Sequence, residues 1–540
     1  MAAVLSYSDT TASSNSLHHP GHVASPSTTN KRTPYVARLS WFSSRLKQTQ
    51  AAFAVSSAAI GPAFGCFNTY ASYQIQYIGY AVGANPGQPM GSGCLDLTQA
   101  CRVPLAGSGD VNLSSFILYM NALAFAISGV LCFLVSGFGD YMGWKREQYI
   151  CLLVVYGAFA LPVAGMTAYN VPTLNSFGAL YVVFNTVGFL AGAWQNIYIP
   201  EVMYDNTESN ADRTETAPST KREREVRGAT LSVWGYNAYQ FSLTVFYCIT
   251  IGISFASATA AIQAGLWVTT ASGALCIVLA LVAWPFLPSP APKPLPAGTK
   301  LWTLPLSTFA ELWQACTKFP EAMKYLVAFT IYNDSIFAFS AVISQLFNLS
   351  LRPSLLEFTY FSLAGTVTSF VFPTIWLYLF RYTGRVSLRQ WTIVAYAVIA
   401  FTAVWCLLGL SDSSKVGFKN RWEFYFFQIV QNMAFSLLSA VFRVVYSELF
   451  PRGAEVQYFS FQLAIGCATV WIPQVVDSAI VDATNMVRFP AIISLVTILI
   501  AIGFAWWTDD LKGALAAQRA SGLEPEIAGD GLAKVPSEEA

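Results

Sequence analysis

Between residues 52 and 507 the chain turns apolar for about 20 residues at a time, over and over. No other feature limits its fold as tightly. At a 1.5 Å rise per residue, a helix of that length crosses the roughly 30 Å hydrocarbon core of a bilayer. Lipid offers no hydrogen bonds to a bare backbone, so each run must be a helix. The runs read as 52–80, 113–136, 148–168, 177–199, 229–254, 263–287, 322–347, 358–380, 390–410, 423–446, 457–480 and 488–507. The fold class expected is therefore an all-α polytopic membrane protein with twelve transmembrane helices in two six-helix halves. Its parts divide as a disordered cytosolic tail (1–48), a first half (49–287), a Pro-rich cytosolic linker (288–320), a second half (321–508) and a closing cytosolic tail (509–540).

Composition narrows the function. Of 540 residues 54% are hydrophobic and only 11% charged, where a soluble domain carries about 25% charge. The net charge of +1 speaks against a nucleic-acid partner. No Gly-x-x-x-x-Gly-Lys-Ser/Thr loop supports an ATP-driven pump. No nucleophile, base and orienting group converge, so no enzyme is indicated, and no Cys or His spacing resembles a zinc or haem site, so no metal or cofactor is expected. His18, His19 and His22 lie in the polar first tail, where a metal site competes with an idle tail. That tail lacks the short apolar core of a secretory signal, so the first apolar run is expected to act as the targeting segment and to stay.

The positive-inside rule tests the count of helices. With a cytosolic amino terminus, the cytosolic side or its boundary receives Lys31, Arg32, Arg38, Arg45, Lys47, Lys145, Arg146, Arg213, Lys221, Arg222, Arg224, Arg227, Lys293, Lys300, Lys318, Lys324, Arg381, Arg385, Arg389, Arg443, Arg452, Lys512, Arg519 and Lys534. The other side receives Arg102, Arg352, Lys415, Lys419, Arg421 and Arg488. The bias is strong, although the cluster from Lys415 to Arg421 runs against it. Sequons at Asn112 and Asn348 fall on the non-cytosolic side, close to the membrane. So do Cys94 and Cys101, candidates for a structural disulfide in the first non-cytosolic loop; the other eight cysteines read as small apolar fillers.

One carboxylate stands near the middle of the seventh run, Asp334, beside Asn333. An acid at mid-bilayer costs roughly 2.5 to 3.5 kcal/mol on insertion scales, so it must face a cavity or a partner. Two roles are open: a proton carrier, or a structural acid bonded to Tyr332, Asn333, Ser335 or a neighbouring helix. Asp477 and Asp482, at the far end of the eleventh run, are expected to be solvated. The loop from Glu201 to Arg227, closing on Lys-Arg-Glu-Arg-Glu-Val-Arg, reads as flexible.

Two groups of six helices around a Pro-rich linker resemble the major facilitator superfamily, whose substrates sit at mid-membrane between the halves. Ser136-Gly-Phe-Gly-Asp140-Tyr-Met-Gly143-Trp-Lys145-Arg146 is similar to that superfamily's loop signature, with a weaker echo in Arg381-Tyr-Thr-Gly384-Arg385. Glycines allow the tight turn, and Asp140 can pair with a nearby Arg or a helix amino terminus when the cytosolic gate shuts. Asp140, Gly143, Lys145 and Arg146, with Arg443 and Glu448 at the end of the tenth helix, are the gating candidates; an ordinary charged membrane edge is the alternative.

Further stretches resemble a narrower family, the autophagy-related twenty-two family of fungal vacuolar amino-acid effluxers. They are the second helix and its loop, Asn196-Ile-Tyr-Ile-Pro200, Ser232-Val-Trp-Gly235-Tyr236, the Trp284-Pro-Phe-Leu-Pro exit, Phe329 to Asp334, Tyr446-Ser-Glu448-Leu-Phe-Pro451-Arg-Gly453-Ala-Glu455, Trp471, and Ala479-Ile-Val-Asp482-Ala-Thr. The resemblance covers residues 110–507 and implies a secondary transporter in the vacuole membrane; Asp334 adds proton coupling to that expectation and the charge bias adds cytosolic termini, and a monomer is expected. It would export neutral amino acids to the cytosol after autophagic breakdown. The chain departs from the family's pattern twice. Gly466-Cys467-Ala468-Thr469-Val470 stands where members carry an Asp-Lys pair before the Trp, and the first helix lacks their acid. Another small solute (peptide, nucleoside or sugar) or a non-transporting adaptor therefore stays open.

In the superfamily the first, fourth, seventh and tenth helices line the cavity. The resemblance makes Asn68, Asn185, Asn333, Gln428, Gln431 and Asn432 substrate-cavity candidates, joined by Tyr236, Asn237, Tyr239 and Gln240 of the fifth helix. Amides and phenols can bind a zwitterion without the full cost of a buried charge. The alternative is that they tie helices together, at about 0.6 kcal/mol per bond.

Overall fold

The computed structural model describes residues 45–94, 101–105, 109–139, 141, 143–203, 221–256, 258–289, 304, 313–314, 316–351, 355–383, 386–411, 413–451, 455–484 and 486–521. The first tail to residue 44, most of the linker, the loop 204–220 and the last 19 residues lie outside them, as do Asp140, Gly384, Arg385, Arg452 and Gly453.

The first span is built of α1 (Arg45–Cys66), a π-helical turn (Phe67–Ala71) and α2 (Ser72–Val82). A short antiparallel hairpin, β1 (Arg102–Leu105) with β2 (Gly109–Asn112), follows. It lies next to a disulfide joining Cys94 to Cys101. Then come α3 (Leu113–Gly139), α4 (Lys145–Ala160), α5 (Val171–Gln195) with the short α6 (Tyr198–Met203), α7 (Lys221–Ala256) and α8 (Ala258–Ala283). The second half runs α9 (Pro320–Leu351), α10 (Leu355–Thr383), α11 (Leu388–Leu408), α12 (Arg421–Glu448), α13 (Glu455–Thr469), α14 (Trp471–Thr484) and α15 (Pro490–Trp507), and closes on α16 (Asp510–Ala520).

Among the described residues eleven helices are long and apolar enough to cross a membrane; α3, with its apolar stretch Tyr119–Cys132, supplies the twelfth span. The large apolar side chains left exposed, such as Phe241, Phe255, Trp267 and Leu499, sit on these spans as lipid-facing residues should. Helices of one half meet where side chains are smallest. A Cβ on Gly157 of α4 would stand 2.6 Å from the carbonyl oxygen of Gly273 of α8, and one on Gly273 would meet Gly157 in the same way. That is the small-residue crossing expected where no hydrophobic force drives helices together in lipid.

Across the halves, α7 packs along α10, and α3 along α13. The alternating loops define two faces: one carries the disulfide and hairpin, and the other, here the basic face, carries Lys145, Arg146, Arg224, Arg381 and Arg389.

One departure from the sequence reading has a clear cause. The eleventh span is interrupted at Val470, because Pro473 has no N–H to give the carbonyl of Thr469, four residues back. The closing tail, whose start after Asp510 reads as mildly helical, opens with an amphipathic helix over 510–520, with Asp509 as N-cap accepting from the Lys512 N–H at 3.1 Å. Its buried face, Gly513, Ala514 and Ala517, packs under α9 and α12, and Glu321 accepts the Asp509 N–H at 2.8 Å.

Candidate functional site

Asp334 sits midway along α9, 6% exposed, and its Oδ1 has no hydrogen-bond partner. The neighbours expected to hold it are engaged elsewhere or unbonded. Ser335 donates to Thr497 Oγ1 at 2.7 Å and to the Ile331 carbonyl, and the Tyr332 hydroxyl bonds nothing among the described residues. What faces Asp334 instead is the interrupted stretch of the eleventh span. The Thr469 side chain lies within hydrogen-bonding reach of its carboxyl, and the Cys467 thiol is close enough to feel its charge. One turn away, Gly466 faces open space where a Cβ would meet nothing within 4 Å.

The amides divide by what they touch. Asn68, on the π-turn, donates to the Phe64 carbonyl at 3.0 Å, and Asn185 to Tyr181 at 3.0 Å, each within its own helix. Gln431 donates to Ser340 Oγ, tying α12 to α9, and Asn432 accepts from Ser369 Oγ of α10 at 3.2 Å. Gln428 and Asn432 both press on Gly365, where a Cβ would come within 2.6 Å of each amide nitrogen. Asn237 crosses the seam and donates to Thr374 Oγ1 at 2.7 Å, leaving its own Oδ1 without a partner. Gln240 donates to the Tyr236 hydroxyl at 2.8 Å, and Tyr236 stacks with Tyr239. Asn333 is half-buried beside Asp334. Gln431, Asn432 and Asn237 thus tie helices, Asn68, Asn185 and Gln240 bond within their own, and Asn237 keeps a buried oxygen without a partner.

On the basic face the ends of the two halves interlock. Arg224 of α7 and Glu448 of α12, both nearly buried, pair at 3.7 Å. Ser447 Oγ lies 3.3 Å from Met203 Sδ of α6, and Arg381 donates to Thr230 Oγ1 at 2.9 Å. Gly143 accepts from Ser289 Oγ at 3.2 Å, Lys145 is buried, and Arg146 pairs with the adjacent Glu147. Asp140 lies outside the described residues. The structure does not bring Arg443 to Glu448.

The geometry is that of two six-helix bundles in contact on the basic face, with a buried acid, one of its oxygens unbonded, deep in one bundle. A family model described as vacuole effluxer Atg22-like matches residues 45–518. The chain belongs to this family. It is 28% identical over 459 residues to autophagy-related protein 22 of Candida albicans, covering 84% of this chain and 87% of that protein. To autophagy-related protein 22 of Saccharomyces cerevisiae it is 23% identical over 439 residues, covering 77% of this chain and 82% of that protein.

Among solved structures, a proton:xylose symporter of the major facilitator superfamily superposes with a TM-score of 0.59 at 12% identity, over 88% of this chain and 98% of its own. A bacterial homologue of the iron transporter ferroportin, in an outward-facing state, superposes at 0.52 and 11% identity, over 86% and 98%. At such identity the likeness is one of fold, and the fold is the major facilitator fold.

In this Atg22-like chain the sequence reading missed two groups. Arg224 lies a full turn before the start assigned to its span, and its pairing with Glu448 spans the two halves. Asp477, expected in solvent, is 5% exposed and neither oxygen has a partner, because α14 packs against α9 and α15. A carboxylate four residues beyond the Pro473 kink was the available signal.

Proposed function

We propose that this chain is a secondary active transporter that exports neutral amino acids from the vacuole to the cytosol, driven by protons carried on Asp334. The basic face then lies in the cytosol, as the positive-inside rule requires, and the disulfide and hairpin lie in the vacuolar lumen. The observation that carries the reading is Asp334 itself, a carboxyl buried at mid-span with an oxygen that bonds nothing. A permanently charged group there would be very costly, whereas one that takes a proton from the acidic lumen and releases it to the cytosol is a working part. Membership of a family described as vacuole effluxers supports the compartment and the direction.

In cells, the test is the vacuolar pool. Disrupting the chain is expected to raise vacuolar neutral amino acids several-fold during nitrogen starvation and to leave them unchanged in rich medium. Equal pools in both strains under starvation would contradict the reading. The open space at Gly466, where a charged pair stands in the family's usual pattern, favours a second reading, transport of another small solute. Labelled dipeptides, nucleosides and sugars in the same comparison decide between the two.

A further inference from the structure

We infer that Asp477 is a second proton-binding site, and that the proton it holds keeps α14 packed on α9 and α15 at the disulfide-bearing end of the second half. Only the placing of this end in an acidic lumen rests on the orientation proposed above.

Asp477 lies eight residues beyond Thr469, about 12 Å along the span at 1.5 Å per residue, and so well removed from Asp334. The helix turns it inward. Val475 and Val476 are exposed, as lipid-facing residues are, whereas Asp477 is buried while α14 packs against α9 and α15. Asp477 is the one carboxyl among the described residues with both oxygens buried and without a hydrogen-bond partner.

The elements packed against it bring no counter-charge. Between Asp334 and Leu351, α9 has no titratable side chain, and α15 has none at all. On α13, Glu455 and Tyr458 stand at the basic-face start and Cys467 in the stretch facing Asp334. The other acid of α14 is Asp482, whose side chain lies outside the described ones. Arg488, two residues before α15, gives its Nε to the Gly417 carbonyl at 3.2 Å and its Nη2 to the Phe418 carbonyl at 3.1 Å. The hydroxyls of the facing helices are also spent. Ser335 donates to Thr497 and the Ile331 carbonyl, Ser340 to the Ile336 carbonyl at 2.6 Å, and Thr497 to the Ile493 carbonyl at 2.8 Å.

A carboxylate here loses its water and gains neither a cation nor a donor, whereas the protonated acid gives up only the hydration of a neutral group. Packing of α14 therefore selects the protonated form. The packed chain binds one proton more than a chain in which α14 has come away, so acid favours packing and rising pH favours release. The proton comes from water at the disulfide-bearing end. In the proposed orientation an acidic lumen closes this end, and a vacuole that loses its acidity loosens it.

The test uses the purified full chain in lipid nanodiscs, unfolded thermally at pH 5.5 and 7.5, for wild type, Asp334→Asn, Asp477→Asn and Asp477→Leu. Between these values the wild-type midpoint is expected to fall by at least ~2 °C. The fall should persist in Asp334→Asn and be missing in Asp477→Asn. Asp477→Leu, apolar and close in size, is expected to unfold at or above the wild-type midpoint at pH 7.5. Backbone hydrogen exchange, corrected for its intrinsic pH dependence, places the effect: residues 474–484 should lose protection at pH 7.5 in wild type and keep it in Asp477→Asn.

Equal falls in wild type and Asp477→Asn overturn the site, as does protection of 474–484 that is the same at both pH values. Failure of both neutral replacements to fold also overturns it, since a position that needs its charge does not hold a proton. A fall missing from Asp334→Asn and kept in Asp477→Asn assigns the proton to Asp334 alone. The opposite pattern leaves this site standing even where efflux proves indifferent to the proton gradient.

Discussion

At the scale of single residues, the proposed transport mechanism rests on what the chain leaves unpaired. Asp334 was legible in the sequence because one acid in an apolar run has few innocent explanations. Its surroundings were not, since they come from a span more than a hundred residues later, and a helix broken by Pro473 turns Thr469 toward it. Arg443 was legible as a charge but not as an unpaired one. That depends on Glu448 having been claimed by Arg224 from the other half. Replacing Asp334 with Asn removes the proton and keeps the shape. Efflux by Asp334→Asn is expected to lose its acceleration by an acid interior, with the apparent affinity for solute changed less than threefold. Wild-type rate and pH dependence in this variant would return Asp334 to a structural role.

At the scale of elements, one loop explains a conflict in the sequence. The basic cluster from Lys415 to Arg421 lies on the face opposite the basic one, and the structure shows what most of it does. Glu423, fully buried in the first turn of α12, accepts the N–H groups of Gly417 and Phe418 at 2.6 and 2.7 Å, Trp405 Nε1 at 2.9 Å and the Asn420 N–H at 3.0 Å. Lys419 gives its ammonium to the carbonyls of Ser411 and Ser414, Arg421 pairs with Glu357 at 3.1 Å, and Arg488 donates to Gly417 and Phe418. The positive charges are thus tied into a folded turn.

Glu423→Ala leaves several buried donors without an acceptor and is expected to cost on the order of 3 kcal/mol. Thermal unfolding in nanodiscs reads the loss, and an unchanged midpoint would refute it. At the α4–α8 crossing, Gly157→Val must push against the Gly273 backbone and is expected to lower the yield of folded protein sharply. Gly192→Ala, where a Cβ meets nothing within 4 Å, is expected to behave as wild type. Equal yields would show that the crossing can yield without cost.

At the scale of the whole molecule, the spans could be read from apolar length and charge bias, because the bilayer dictates both, and the two halves from the Pro-rich linker between the two groups of six. The closure of the basic face could not, since it depends on contacts between helices distant in the chain. It pairs Arg224 with Glu448 and sets Met203 against Ser447. A transporter that alternates access must open this contact in each cycle. Met203→Cys with Ser447→Cys, oxidised, is therefore expected to stop transport, and reduction to restore it. Full transport by the cross-linked protein would show that this face does not move.

The central claim is proton-driven export, and its most direct test is efflux of labelled neutral amino acids from proteoliposomes holding the purified chain, with the interior at pH 5.5 or at pH 7.5. The account predicts efflux that accelerates several-fold with the acid interior, above protein-free vesicles. The same slow leak at both values, from protein shown to be folded, would contradict it.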